Sequence, residues 1–182
     1  MKIIVAGCGK IGRAITSTLT AEGHGITVID NDPDVIGEVT NIYDVMGVCG
    51  NGADCETLEE AGIAQSDLFI AVTSSDELNM LACFLAKRMG VTHTIARIRN
   101  PEYNDNSLGF MKNELELSMA INPDLLAAEE LFDILKLPSV AKIESFSARN
   151  FKMIELVLKS GSNLAGLSLR ELREKYKSKV VF

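Results

Sequence analysis

The sequence predicts an α/β fold, a doubly wound parallel sheet followed by a partial, truncated β-α-β lobe, and three observations carry that expectation. Apolar, strand-like runs alternate with helix-compatible segments through the first 122 residues. A glycine-rich turn, Gly7-Cys8-Gly9-Lys10-Ile11-Gly12, joins the first run to the first helix. After residue 138 the texture changes. Alternation builds β-α-β units, whose crossovers make the strands parallel and cover both faces of the sheet.

Taken in order, strands are expected at 2–6, 26–30, 45–49, 68–73, 94–99 and 117–121, and helices at 11–22, 33–42, 55–62, 76–89 and 101–112. The punctuation agrees. Asp32-Pro33, Asn100-Pro101 and Asn122-Pro123 each put a capping side chain before a proline at the first helical position. Ser74 with Glu77 has the spacing of a capping box opening the fourth helix. Six strands with helical crossovers give the Rossmann-like architecture, with its ligand crevice between strands 1 and 4. Beyond residue 138, AKIESFSA and FKMIELVLK read as strands, Ser168 and Glu171 as another capping box, and KSKVVF as the start of a further strand. A β-β-α-β fragment of about 40 residues is small for a finished domain. The lobe therefore reads as cut, or as completed by another chain.

A content of 47% hydrophobic residues in 182 supports a real core, and the net charge of −7 argues against a nucleic-acid partner. No apolar stretch approaches the ~20 residues of a bilayer span, and the N-terminus runs straight into a strand. The expectation is a soluble, cytoplasmic protein without direct membrane insertion. The four cysteines lack CxxC spacing, and His24 and His93 stand far apart, so no metal site is expected. Cys83 reads as core, whereas Cys8 lies inside the glycine loop, where a thiol could meet oxidants.

The glycine loop has an assignable job at each position. Gly7 permits the tight turn, Gly9 lets the backbone close on a pyrophosphate, and Gly12 lets the helix pack on the sheet. The helix start, with Lys10 and Ile11 in its first turn, then faces phosphates with free N–H groups and its positive dipole end. Asp30 lies 18 residues past Gly12, near the roughly 20 expected of an acid that holds ribose hydroxyls. The bland alternative is a sheet whose glycines serve packing alone. Asn31 and Asp32 follow with no Lys or Arg to receive a 2′-phosphate, which disfavours NADP and favours NAD, ATP or ADP.

In Gly50-Asn51-Gly52-Ala53-Asp54 the backbone can approach a flat ring while Asn51 or Asp54 reads its edge; Asp54 as a helix cap is the alternative. Thr73, Ser74 and Ser75 offer hydroxyls and N–H groups beside the glycine loop. Arg97 and Arg99 share one face of strand 5, and arginine in a buried strand is costly unless paired. One or both should meet an anion, either a ligand phosphate or an acid. In the helix over 124–137, Leu125, Ala127, Ala128, Leu131, Phe132, Ile134 and Leu135 cover about half the circumference, more than a core-facing stripe needs. A second subunit is the expected cover. No Tyr-x-x-x-Lys, GxSxG or HExxH pattern is present, so the nucleotide reads as bound rather than consumed.

These segments together resemble a family. GCGKIGRAI, the acid in VIDND, VCGNGADCETLEEAGI, DLFIAVTSSDELNMLACFLAKRMG and TIARIRNPEY are similar to the regulator of potassium conductance (RCK, or KTN) family. The resemblance implies an N-terminal nucleotide-binding (RCK N) domain over 1–122 and a crossover helix over 123–138 that makes a dimer contact. Residues 139–182 would be part of the C-terminal (RCK C) lobe. It also implies a cytosolic regulatory subunit that forms a homodimer or larger ring at the inner face of the cell membrane, beneath a Trk-type potassium transporter subunit. NAD(H) or ATP/ADP would change that ring's shape. By position, Gly7, Gly9, Gly12, Asp30, Asn51, Thr73 and Arg97 match the family's nucleotide site. Cys8, Lys10, Ile11, Asn31, Gly52, Asp54 and Ser74 complete the candidate cofactor-binding set. The chain departs from the pattern in having one unit and a cut lobe. The alternative function is a small NAD-dependent oxidoreductase, or the cofactor half of an enzyme.

Overall fold

A computed structural model of the chain describes residues 1–100, 102–103, 105–136, 140–146, 151–156, 161–163 and 165–176, divided into two compact units, Met1–Leu126 and Ala127–Phe182. The first is a six-stranded sheet of β1 (Lys2–Ala6), β2 (Gly25–Asp30), β3 (Met46–Cys49), β4 (Leu68–Ala71), β5 (His93–Arg97) and β6 (Met119–Ile121). All neighbouring pairs are parallel, in the order β3-β2-β1-β4-β5-β6. In register, Val5 lies between Val28 on β2 and Ile70 on β4. The order reverses between β1 and β4, which opens a crevice at the carboxyl ends of those two strands.

Helices α1 (Lys10–Ala21), α2 (Pro33–Ile42), α3 (Cys55–Glu60), α4 (Asp76–Arg88) and α5 (Asp105–Glu114) connect the strands. The strands read as continuous apolar runs because both faces are covered. Ile3, Val5, Val28 and Ile70 pack with Ile11, Ile15 and Val39 of α1 and α2. Their neighbours along the strands, Ile4, Ala6, Ile29 and Phe69, pack with Leu58, Cys83 and Ala86 of α3 and α4. Alternate residues thus feed opposite layers, and each buried Ile, Val or Phe contributes about 1.5–3 kcal/mol.

Two expected caps are in place: Asp32 Oδ1 accepts from Asp34 N at 2.9 Å, and Asn122 Oδ1 accepts from Leu125 N at 3.1 Å. Two details differ. The cap of α4 is Ser75, whose Oγ accepts from Leu78 N at 3.1 Å, and not Ser74. Glu77 is drawn sideways, accepting from Ser75 Oγ and from Tyr103 Oη, so the Ser74–Glu77 box does not form. Helix α5 starts at Asp105 rather than at 101. Asn100 is occupied in a turn: its Oδ1 accepts from Glu102 N, its carbonyl accepts from Tyr103 N, and its own N–H goes to Asp76.

Helix α6 (Pro123–Lys136) follows β6. In the second unit, β7 (Val140–Phe146) and β8 (Phe151–Leu156) form an antiparallel hairpin with Ile143 opposite Ile154. Helix α7 (Leu169–Tyr176) opens on the expected box, Ser168 N donating to Glu171 Oε2 at 2.7 Å and Glu171 N to Ser168 Oγ at 3.4 Å. The strand expected in KSKVVF lies outside the described residues. Among the described residues, no helix is long and apolar enough to cross a membrane.

Candidate functional site

At the switch between β1 and β4 the chain leaves Ala6 through Gly7, whose φ of +99° suits only glycine. A Cβ there would also lie 2.8 Å from Thr73 N, so the turn is pressed against the end of β4. A Cβ on Gly12 would lie 1.9 Å from the Gly7 carbonyl oxygen, which ties α1 to the sheet at its first turn. Gly9 is different: a Cβ on it would meet nothing within 4 Å. Packing explains two of the three glycines and leaves the middle one unexplained.

Gly9 is also the N-cap of α1, and no side chain caps that helix, whereas Asp32, Asp54 and Ser75 cap α2, α3 and α4. The first bond into the helix is Arg13 N to Gly9 O at 2.9 Å. The N–H groups of Lys10, Ile11 and Gly12 therefore have no partner among the described residues. Around this helix end lies a cleft of about 770 Å³, lined by Gly7, Gly9, Lys10, Ile11, Asp30, Asn31, Asn51, Gly52, Thr73, Ser74 and Arg97. Eleven of the fourteen sequence candidates thus converge on one space from the ends of five strands.

Three candidates do not line it. Cys8 is buried; its N–H is given to Asp30 Oδ2 at 2.7 Å, and burial, reinforced by the Asp30 charge, pushes its thiol up to about 12. A thiol so placed is neutral and poorly reactive. Gly12 is buried against the Gly7 carbonyl. Asp54 spends its carboxylate capping α3, accepting from Thr57 N and Thr57 Oγ1 at 2.9 Å each, and those bonds hold its carboxyl below the usual range.

Asp30 lines the cleft but does not stand free there. Its Oδ2 takes the Cys8 N–H and its Oδ1 accepts from Asp32 N at 3.1 Å, leaving further lone pairs on both oxygens. Asn51 Oδ1 accepts from Ala53 N at 2.9 Å, which leaves its Nδ2 hydrogens unspent among the described residues. Thr73 has its N–H and hydroxyl turned inward onto Asn79, while Ser74, among the described residues, has only its carbonyl engaged, by Arg99 at 2.8 Å. The two arginines separate. Arg99 lies beyond β5, with Nε 3.9 Å from the buried Asp76 carboxylate. Arg97 lines the cleft, and its buried Nε has no partner among the described residues.

Sequence reasoning missed Leu78, Asp124 and Asn79. Leu78 and Asp124 line the cleft, and in the sequence Asp124 stands out only as the start of a helix. Asn79 is completely buried in an otherwise apolar stretch, LNMLACFLA, and an amide in such company is a signal of its own. Among the described residues no cluster of His, Cys, Asp and Glu could hold a metal ion.

Comparison with known proteins agrees with this architecture. The TrkA-N domain model matches residues 3–122. The chain belongs to the TrkA-N domain family. It is 33% identical over 172 residues to a Trk system potassium uptake protein TrkA homolog of Archaeoglobus fulgidus, spanning 94% of this chain and 39% of that protein. With the TrkA homolog of Methanothermobacter thermautotrophicus it shares 30% over 160 residues, 88% of this chain and 72% of the relative.

Among solved structures, the TrkA-N domain of the Escherichia coli inner membrane protein ybaL aligns with a TM-score of 0.65 at 18% identity, covering 74% of this chain and 96% of that one. The AMP-bound Shewanella denitrificans Kef C-terminal domain gives 0.62 at 19%, covering 78% and 84%. The GsuK channel bound to NAD gives 0.56 at 18%, covering 66% and 21%. These likenesses show the fold of the TrkA-N domain. The resemblance to the RCK family drawn from the motifs holds.

Proposed function

We propose that this TrkA-N domain is a nucleotide-sensing regulatory module of a Trk-type potassium uptake system, binding an adenine nucleotide, NAD(H) or ATP/ADP, in the cleft at the β1–β4 switch. One observation carries the reading: α1 opens on that cleft with its first-turn N–H groups unpaired and no side chain to cap them. A helix end of this kind favours an anion through both its donors and its dipole. Packing gives no reason for glycine at position 9, whereas close approach of a phosphate does.

The other lining residues supply the remaining contacts. The Lys10 and Ile11 N–H groups hold the phosphate nearest the ribose, and Lys10 and Arg97 add positive charge. Asp30 accepts from the ribose hydroxyls with the lone pairs its backbone bonds leave open. Asn51 and Gly52 border the base, where the Asn51 Nδ2 can donate to a ring acceptor. A 2′-phosphate would meet the Asp30 carboxylate, and the Asn31 and Asp32 that follow it bring no positive charge, so NADP is disfavoured. The AMP and NAD carried by the Kef and GsuK proteins in their solved structures support a nucleotide of this class.

Binding would tie the α1 side of the switch to the β4 and β5 ends, a change the rest of an assembly could read. The exposed leucines of α6, Leu125 and Leu131 among them, suit a contact with a second copy of the chain. In this reading, residues 1–122 bind nucleotide, 123–138 form the crossover helix and 139–182 belong to the C-terminal lobe. The domain works on the cytoplasmic face beneath the membrane transporter, in a homodimer or larger ring. Its role is regulatory rather than catalytic.

Calorimetric titration with NADH, NAD, ATP and ADP tests the proposal. Saturable binding of at least one, at about one per chain, is expected; no binding by any of them overturns it. Substrate-dependent oxidation of NADH with small carbonyl compounds would instead establish the oxidoreductase alternative.

A further inference from the structure

Asn79 sits in α4 with no exposed surface, and its carboxamide makes four hydrogen bonds. Its Oδ1 accepts from Thr73 N at 2.8 Å and from Thr73 Oγ1 at 2.7 Å. Its Nδ2 donates to Arg97 O at 2.9 Å and to Thr73 O at 3.3 Å. These use the full donor and acceptor capacity at the two ends of the amide. The partners fix which end is which, since a backbone N–H needs the oxygen and the two carbonyls need the nitrogen. One buried side chain thus spans the ends of β4 and β5, and both residues it grips line the cleft.

The grip has two consequences. The polar atoms of Thr73 are drawn inward, so Thr73 forms a wall of the cleft. The backbone of Arg97 is pinned at the last residue of β5, which sets where its guanidinium, with its partnerless Nε, begins. Neither an aspartate nor an aliphatic residue at 79 does the same. An aspartate offers two acceptors to the Arg97 carbonyl, and an aliphatic side chain offers neither donor nor acceptor.

We infer that Asn79 is a positioning residue for the anionic end of the ligand: it never touches the nucleotide and acts through Arg97. The inference rests on the proposed nucleotide reading of the cleft, and it assigns recognition of the outer phosphate to the Arg97–Asn79 pair. Position matters most for groups that bond in a fixed direction; outer-shell partners of metal ligands contribute about 10- to 100-fold in affinity, and the lower end of that range sets the scale expected for Arg97. The effect should appear for ADP and be nearly absent for adenosine, which has no phosphate to reach Arg97.

The test measures affinity for ADP and for adenosine in the unmutated chain, Asn79→Ser, Arg97→Met and the double variant. Asn79→Ser should weaken ADP about tenfold with little change for adenosine. The double variant should bind ADP no more weakly than Arg97→Met alone, because a residue acting through Arg97 has nothing left to position. Equal losses for ADP and adenosine, or additive losses in the double variant, overturn the inference while leaving the nucleotide reading intact. Absence of ADP and adenosine binding by the unmutated chain overturns the inference, and absence of NAD, NADH and ATP binding besides overturns the nucleotide reading with it. Should Asn79→Ser fail to fold, the unmutated chain still decides. Saturating ADP should shift the side-chain amide resonances of the buried Asn79 and adenosine should not; unmoved resonances with ADP overturn the inference.

Discussion

In the proposed reading Asp30 combines two jobs, of which the sequence showed only one. Its spacing from the glycine loop marks it as the ribose acid, but nothing in the sequence shows that its carboxylate also takes the N–H of the buried Cys8 and that of Asp32. Such bonds are set by how the loop folds back over β2, which spacing does not reveal. The consequence for mutation is concrete. Asp30→Ala strands a buried donor, at a cost of about 1–3 kcal/mol, so its melting temperature should fall even without ligand. Asp30→Asn keeps an acceptor for Cys8 and should melt closer to the unmutated chain. Both should weaken ADP and NADH; loss of a hydrogen bond to a charged group, about 1.5–3 kcal/mol, corresponds to roughly 10- to 150-fold. Thermal melts beside titrations check the pair, and unchanged affinity in both variants would remove Asp30 from the site. Cys83 and Arg97 show the other outcome. A thiol in LACFLA and an arginine in a buried strand each have few places to go, and the fold puts one in the core and the other at the cleft.

Element boundaries were legible where one side chain decides them and blurred where several compete. Asp32 and Asn122 each have one backbone end to cap, and they cap it. Around Ser74 and Ser75 two hydroxyls, Glu77 and Tyr103 contend for the same start, and the geometry of Thr73 awards it to Ser75, whose N–H it receives at 3.3 Å. Asn100 is claimed by the buried Asp76 through its N–H, which no local pattern announces, and α5 begins later as a result. At α1 the proposed site lies in the element itself, and its glycines separate packing from the proposed binding. Gly12→Ala drives a methyl into the Gly7 carbonyl and should lower the melting temperature, with overpacking costing about 1–3 kcal/mol or more. Gly9→Ala meets open space and should melt normally while binding ADP several-fold more weakly. Full ADP affinity in Gly9→Ala would show that no ligand closes on that backbone.

For the whole molecule, the doubly wound fold was legible in the alternation together with the glycine turn after the first strand, because parallel strands with helical crossovers leave few alternatives. Helix α6 belongs to this scale. Leu125 is 54% and Leu135 78% exposed in the single chain, in keeping with the half-apolar pattern of its sequence. Leu131→Asp or Leu135→Asp should weaken self-association about tenfold or more, since each puts a charge into a dry contact. Sedimentation at micromolar concentration checks this, and an unmutated chain that stays monomeric would contradict it.

The central claim, that the exposed start of α1 is a phosphate site, is tested most directly by amide resonance shifts on adding ADP to the isotopically labelled chain. The account predicts the largest shifts at Gly9, Lys10, Ile11 and Gly12, with accompanying shifts at Asn31, Gly52 and Ser74. Shifts confined to the opposite end of the sheet, around Lys2, Asp44 and Gln65 where a second hollow lies, would contradict it.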